Sequence, residues 1–156
     1  MTTTLPAPFT VDYGHVDFVA VHFDDLDAMG VVHNARYALL LERALAAFWN
    51  ARGHSFVDGR PTTEDSFNVV KEYRITYRTP IRMAGDVAVH LWTDRVGETS
   101  GTYGFRILSV DGSTVHAEGI RVVVKLDPTT MRPIPWTAPA RRIAESLARV
   151  HTRPAV

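Results

Sequence analysis

Residues His22–Ala44, HFDDLDAMGVVHNARYALLLERA, decide how this chain is read. A strand-like run, Val16 to Phe23, delivers the acid-rich turn Asp24-Asp25-Leu26-Asp27. Gly30 follows, and Asn34, a residue type suited to capping a helix N-terminus, opens a helix expected over 34–52. Gly53 suits the left-handed position that closes one. Asp27 thus stands just ahead of a helix start, where unpaired N–H groups carry about half a positive charge. A carboxylate that can attack or activate water, beside donors that can hold an oxyanion, is the minimum kit for acyl transfer.

Along the expected helix Arg36, Arg43 and Asn50 recur every seven residues, and nearly everything else is apolar. That pattern predicts a long central helix buried almost all round and wrapped by a sheet. Before it come a loose arm over 1–9, with Pro6 and Pro8, and a strand near 13–23. After it come a polar loop over 54–66 and four strand-like runs: Phe67–Thr79, Val87–Val96, Thr102–Val110 and Thr114–Leu126. In the first run Tyr73, Ile75 and Tyr77 alternate with Glu72, Arg74, Thr76 and Arg78, the mark of a half-buried strand. Asp111-Gly112 is a hairpin signal. A closing helix is expected near 138–150, with Ile143, Leu147 and Val150 on one stripe. No helix separates the later strands, so the reading is an α+β domain built on an antiparallel meander.

The 156 residues are expected to form a single domain. Lys plus Arg equals Asp plus Glu at 17 each, which argues against a nucleic-acid footprint. Without cysteine there is no disulfide, thiolate zinc site or cysteine nucleophile. The first ten residues lack the basic start and apolar run of a signal peptide, and no apolar stretch reaches membrane-spanning length. The expected location is cytoplasmic, with no membrane and no nucleic acid as partner. The seven histidines show no metal-ligand spacing, and neither a metal nor a cofactor is expected.

Asp25-Leu-Asp27-Ala-Met-Gly30-Val-Val-His-Asn34-Ala-Arg-Tyr37 resembles the signature of hotdog-fold acyl-CoA thioesterases of the 4-hydroxybenzoyl-CoA thioesterase type. Ile75-Thr-Tyr77-Arg-Thr-Pro80 with Gly85-Asp86, the turn Gly97-Glu-Thr-Ser100, and Ala117, Val122 to Val124 and Asp127 with Arg132-Pro133-Ile-Pro135 extend the resemblance over about 11–138. It implies a hotdog fold, a homodimer joined edge to edge or a homotetramer, and an active site between subunits. It implies an acyl-coenzyme A or acyl carrier protein thioester as substrate. It makes Asp27 the catalytic acid and the backbone amide near Asn34 the oxyanion donor. Gly30, His33, Tyr37 and Ser100 would contact the substrate.

Asp27 would attack the carbonyl or deprotonate water. Its bland reading is a turn or capping acid. Asp24 and Asp25 read as turn residues, Asp25 orienting the loop. Glu42 is the reserve catalytic residue, expected among Ala38, Ala46 and Trp49; its bland reading is a buried acid paired to an arginine across the interface. Arg78, Arg82, Arg95, Arg141 and Arg142 are candidates for coenzyme A phosphates. A haloacid-dehalogenase-type nucleophile is rejected for want of a parallel sheet. An EF-hand loop is rejected because Met29 and Arg36 fall where calcium needs oxygen. Two other functions fit the same residues: a hydratase or dehydratase on the same fold, with His33 and Asp27 as proton-moving pair, and a non-catalytic acyl-CoA-binding protein.

Overall fold

The computed structural model describes residues 9–149, so Pro6, Pro8 and Val150 lie outside the described residues. Strand β1 (His15–Val21) leads to a 3-10 turn over Phe23–Asp25. A second 3-10 turn, Asn34–Arg36, runs directly into helix α1 (Tyr37–Asn50). The segment expected as a plain polar loop holds a two-strand hairpin, β2 (Phe56–Val57) and β3 (Arg60–Pro61), and a further 3-10 turn over Glu64–Ser66. Four long strands follow: β4 (Asn68–Tyr77), β5 (Gly85–Val96), β6 (Ser100–Leu108) and β7 (Val115–Lys125). Helix α2 (Ala138–Ser146) is shorter than expected; beyond it Ala148 bridges to Thr93.

The main sheet is wholly antiparallel, in the order β1-β5-β6-β7-β4. The expected four-strand meander is therefore corrected: only β5 to β7 form one, and β4 lies at the far edge beside β7. The link from Tyr77 to Gly85 crosses the end of the sheet, a step of three strand spacings, or about 14 Å. On the way Ile81 is buried and accepts a hydrogen bond from the Val32 amide at 2.8 Å. The crossover thereby ties down the loop that carries Asp27.

α1 lies on the concave face. Leu40, Leu41 and Ala44 pack, fully buried, with Val89, Leu91, Phe105, Ile107 and Ala117. The alternation in β4 holds, with Tyr73 and Ile75 packed against this core. The helix is not enclosed on all sides, however. Leu39, Glu42, Ala46 and Ala47 are exposed, because one chain's sheet covers only one side of it.

One glycine sets how closely β4 can approach β7. A Cβ on Gly119 would overlap the Arg74 carbonyl oxygen of the facing strand. Backbone cannot rotate away as a side-chain tip can. Gly119→Ala is expected to lower Tm by about 5–10 °C, the cost of an overpacked contact. A thermal melt checks it.

Candidate active site

The Asp27 turn is built by local hydrogen bonds. Leu26 and Val32 form an antiparallel bridge, and the Asp27 amide donates to the Val31 carbonyl at 2.8 Å. One Asp27 carboxylate oxygen accepts from the Met29 amide at 2.8 Å and, longer, from Val31 at 3.4 Å. Gly30 has φ +77°, a left-handed conformation that residues with a Cβ rarely adopt. Asp25 is the buried anchor: its carboxylate accepts from the His22 amide at 2.8 Å, with Arg43 of α1 at 3.9 Å. The role expected for it, orienting the loop, matches these contacts.

The cap differs from expectation. His33, not Asn34, precedes the helical turn, and its Nδ1 accepts from the Ala35 amide at 3.2 Å. An imidazole nitrogen reaches the second amide of the turn as a capping oxygen would. Asn34 is exposed; its carbonyl accepts from the Tyr77 hydroxyl at 2.9 Å, and its amide has no partner among the described residues. Tyr37 is buried beneath the loop, edge-on to Tyr77 at 5.0 Å, and burial pushes its pKa up.

A single chain does not gather all the predicted residues. Asp27, Gly30, His33 and Asn34 lie where β4 ends and β5 begins, as the Tyr77 and Ile81 contacts show. Ser100 opens β6 at the opposite end, about 36 Å away along the 12 residues of β5, which are separated by steps of ~3.3 Å. Its carbonyl accepts from Gly97 at 2.8 Å and from the Trp136 indole at 3.1 Å. Glu42 is exposed rather than buried, and its arginine partner, Arg121, belongs to the same chain. Arg141 is committed to the Val96 and Gly97 carbonyls, and Arg78 pairs with Glu118 at 2.9 Å. Arg82, Arg95 and Arg142 are exposed.

A cavity of 280 Å³ opens at the Ser100 end, between the C-terminal half of α1, the concave face and α2. Trp49, Tyr103 and Trp136 line it. The Trp49 indole donates to the Tyr103 hydroxyl at 2.8 Å. Burial raises the Tyr103 pKa to about 12, so the phenol stays protonated at neutral pH. Thr93 Oγ1 and Arg121 Nε are buried without a hydrogen-bond partner among the described residues, each at a cost of about 1–3 kcal/mol. Sequence reasoning passed over these positions. A signal existed in β7, where the period of two puts Arg121 and Lys125 on the same face as the buried Ala117 and Val123.

The cavity is roofed by the segment after β7, which is pinned by a buried ion pair. Lys125 Nζ lies 3.0 Å from Asp65 and donates to the Pro135 carbonyl at 3.0 Å. Asp65 also accepts from the Thr137 amide at 2.9 Å and hydroxyl at 2.6 Å. Among the described residues no helix is long and apolar enough to cross a membrane.

An antiparallel sheet around one long helix, entered through a loop acid, defines a class, and comparison with known proteins agrees. The family model described as the thioesterase superfamily matches residues 29–116. The acyl-CoA thioester hydrolase YbgC of Escherichia coli O157:H7 is 28% identical over 115 residues, 74% of this chain and 84% of the relative. Among solved structures, the PA5185 protein of Pseudomonas aeruginosa superposes with TM-score 0.77 at 22% identity, over 87% of this chain and 92% of that one. A thioesterase from Thermus thermophilus, solved with coenzyme A and Zn, gives TM-score 0.68 at 26% identity, over 85% and 92%. The chain belongs to the thioesterase superfamily, with the hotdog fold, and is a thioester hydrolase.

Proposed function

We propose that this protein is a homodimeric acyl-CoA thioesterase releasing a free carboxylic acid and coenzyme A. Asp27 serves as nucleophile or general base, and the Asn34 amide holds the oxyanion. The observation that carries this is the Asp27 turn itself. One carboxylate oxygen is anchored by turn amides, and an unpartnered helix-start amide lies seven residues on. His33 and Gly30 flank the thioester path, and Tyr37 supports the loop from below. Coenzyme A is the carrier favoured over acyl carrier protein, because the YbgC relatives are named as acyl-CoA hydrolases and the Thermus thioesterase was solved with coenzyme A.

The edge strand supports the dimer. β4 is long and exposed, with Val69 and Val70 bare, a template for pairing with a second copy. A two-fold axis through that edge sets β4 antiparallel to its mate. The Tyr77 end of one chain, which carries Asn34 and Asp27, then meets the Asn68 end of the other, which carries Ser100 and the cavity. The active site is shared: acid and oxyanion donor from one protomer, acyl cavity and Ser100 from its partner. Glu42, at the cavity rim, is the reserve acid.

Thiol release from a panel of acyl-CoA thioesters tests the activity, and subunit mixing tests the shared site. Ala46→Trp fills the cavity and Asp27→Asn removes the acid, so each variant alone is expected to be inactive. Unfolded and refolded together, they form dimers with one intact site and regain activity. A mixture as inactive as its parents would place both groups in one chain.

A further inference from the structure

Every amide from Val32 to Arg36 but one is taken. Val32 donates to the Ile81 carbonyl at 2.8 Å, His33 to the Asp25 carbonyl at 2.9 Å, Ala35 to the His33 ring at 3.2 Å and Arg36 to the His33 carbonyl at 2.9 Å. The Asn34 N–H is left free among the described residues. The peptide unit that follows it is gripped at both ends. Its carbonyl, that of Asn34, accepts from the Tyr77 hydroxyl at 2.9 Å, and its N–H, that of Ala35, is the one received by His33 Nδ1. Tyr77 is firmly seated for this. It closes β4, the next amide bonds to the His116 carbonyl of β7 at 2.8 Å, and its ring stands edge-on to the buried Tyr37. The free amide is thus fixed in direction before a substrate arrives, and a donor aimed in advance is what stabilises an oxyanion.

The two grips differ chemically. The tyrosine hydroxyl donates across the physiological range, but an imidazole nitrogen accepts only while it carries no proton, and in the cation both ring nitrogens are donors. A protonated His33 would set N–H against N–H at Ala35, so the ring would have to swing away. An asparagine in the same place would accept at any pH. His33 is exposed, so protons reach it. The elements that meet here also carry His22, Asp25 and Asp27 on the loop, Arg36 and Arg43 on the helix side, and Arg78, Arg82, His116 and Glu118 around the end of β4. Asp25 is committed to the His22 amide, Arg78 to Glu118, and the His116 ring to the Thr79 carbonyl.

We propose that His33 and Tyr77 are positioning residues that grip the Asn34–Ala35 peptide and so aim the Asn34 amide at the oxyanion, and that acid releases this grip through His33. The proposal rests on the reading of Asn34 as the oxyanion donor of a thioesterase.

The test follows kcat from about pH 8 to about pH 5.5 with the fastest substrate of an acyl-CoA panel running from acetyl- to benzoyl-CoA, read as loss of thioester absorbance. The wild type should lose activity several-fold over that range, where a histidine changes charge and an ordinary carboxylate does not. His33→Asn should lose that slope, and at about pH 8 its kcat should exceed that of His33→Ala by about threefold or more. Tyr77→Phe, which keeps the ring against Tyr37, should lower kcat by about tenfold at every pH, keep the slope and leave KM within about twofold. A flat wild-type profile, an unaltered slope in His33→Asn, an asparagine no better than alanine, or an unchanged kcat in Tyr77→Phe overturns the proposal while leaving the thioesterase reading intact. If no acyl-CoA is hydrolysed, that reading falls. In that case, or if a variant unfolds, NMR of the wild type decides. An Ala35 amide resonance that titrates in step with the His33 ring supports the grip, and one that ignores the ring overturns it.

Discussion

Asp27→Asn is expected to leave the fold intact and lower kcat/KM for acyl-CoA hydrolysis by about 10²–10⁴, the range typical of a lost acid–base group. The substitution separates two roles of one side chain. The oxygen that accepts from Met29 and Val31 is kept by the amide, so the turn survives. The charge that would attack the thioester or take a proton from water is lost. Asp27 is half-buried at a turn outside the core, and its anchoring oxygen is kept, so Tm should move by no more than about 1 °C. Thiol release and a thermal melt on the same preparation give both readings. Undiminished turnover in a folded dimer would remove Asp27 from the chemistry and bring Glu42 forward.

Lys125→Met is expected to cost about 3–5 kcal/mol, because it strands a buried carboxylate. Lys125 is fully buried and meets Asp65 at 3.0 Å, and Asp65 in turn holds Thr137 at the start of α2. For a chain of this length the loss corresponds to a fall in Tm of about 10 °C. The double variant Asp65→Leu with Lys125→Met should recover part of it, since no buried charge is then left alone. The same pair sets an acid limit. Burial would raise the Asp65 pKa, but the Thr137 hydroxyl and amide and the Lys125 ammonium outweigh it and hold the group below its ordinary value. A carboxyl with a depressed folded pKa contributes stability above its unfolded pKa and loses it as pH falls through the folded one. The contribution should be whole at neutral pH and decline below about pH 4. Melts of wild type and Asp65→Asn across that range check the sign: the gap between them should narrow as the pH drops. A constant gap would mean that Asp65 holds the roof by shape alone.

Local chemistry was legible in the residues. The alternation of Tyr73, Ile75 and Tyr77 marks a strand with one buried face, and Tyr73 and Ile75 do meet the core, while Tyr77 at the strand end stays exposed. Gly53 closes the helix region at φ +86°, as a glycine after a helical run should. Asp27 and Gly30 form a turn at the head of α1, where their spacing puts them. Arg121 and Lys125 were the missed signal. Both sit on the inward parity of a valine-rich strand, where the period of two sets two cations among buried side chains.

Sequence by itself determined the α+β class, the long helix, the antiparallel strands and the loop acid, because periodicity, turn residues and capping act over a few neighbouring positions. Tertiary structure alone decided that β4 lies beside β7, that Asp27 and Ser100 stand at opposite ends of one sheet, and that Thr93, Tyr103 and Arg121 share a row. Those relations depend on strand order and register between segments far apart in the chain. Long-range pairing is chosen by the packing of the whole core, and no short window of residues carries it.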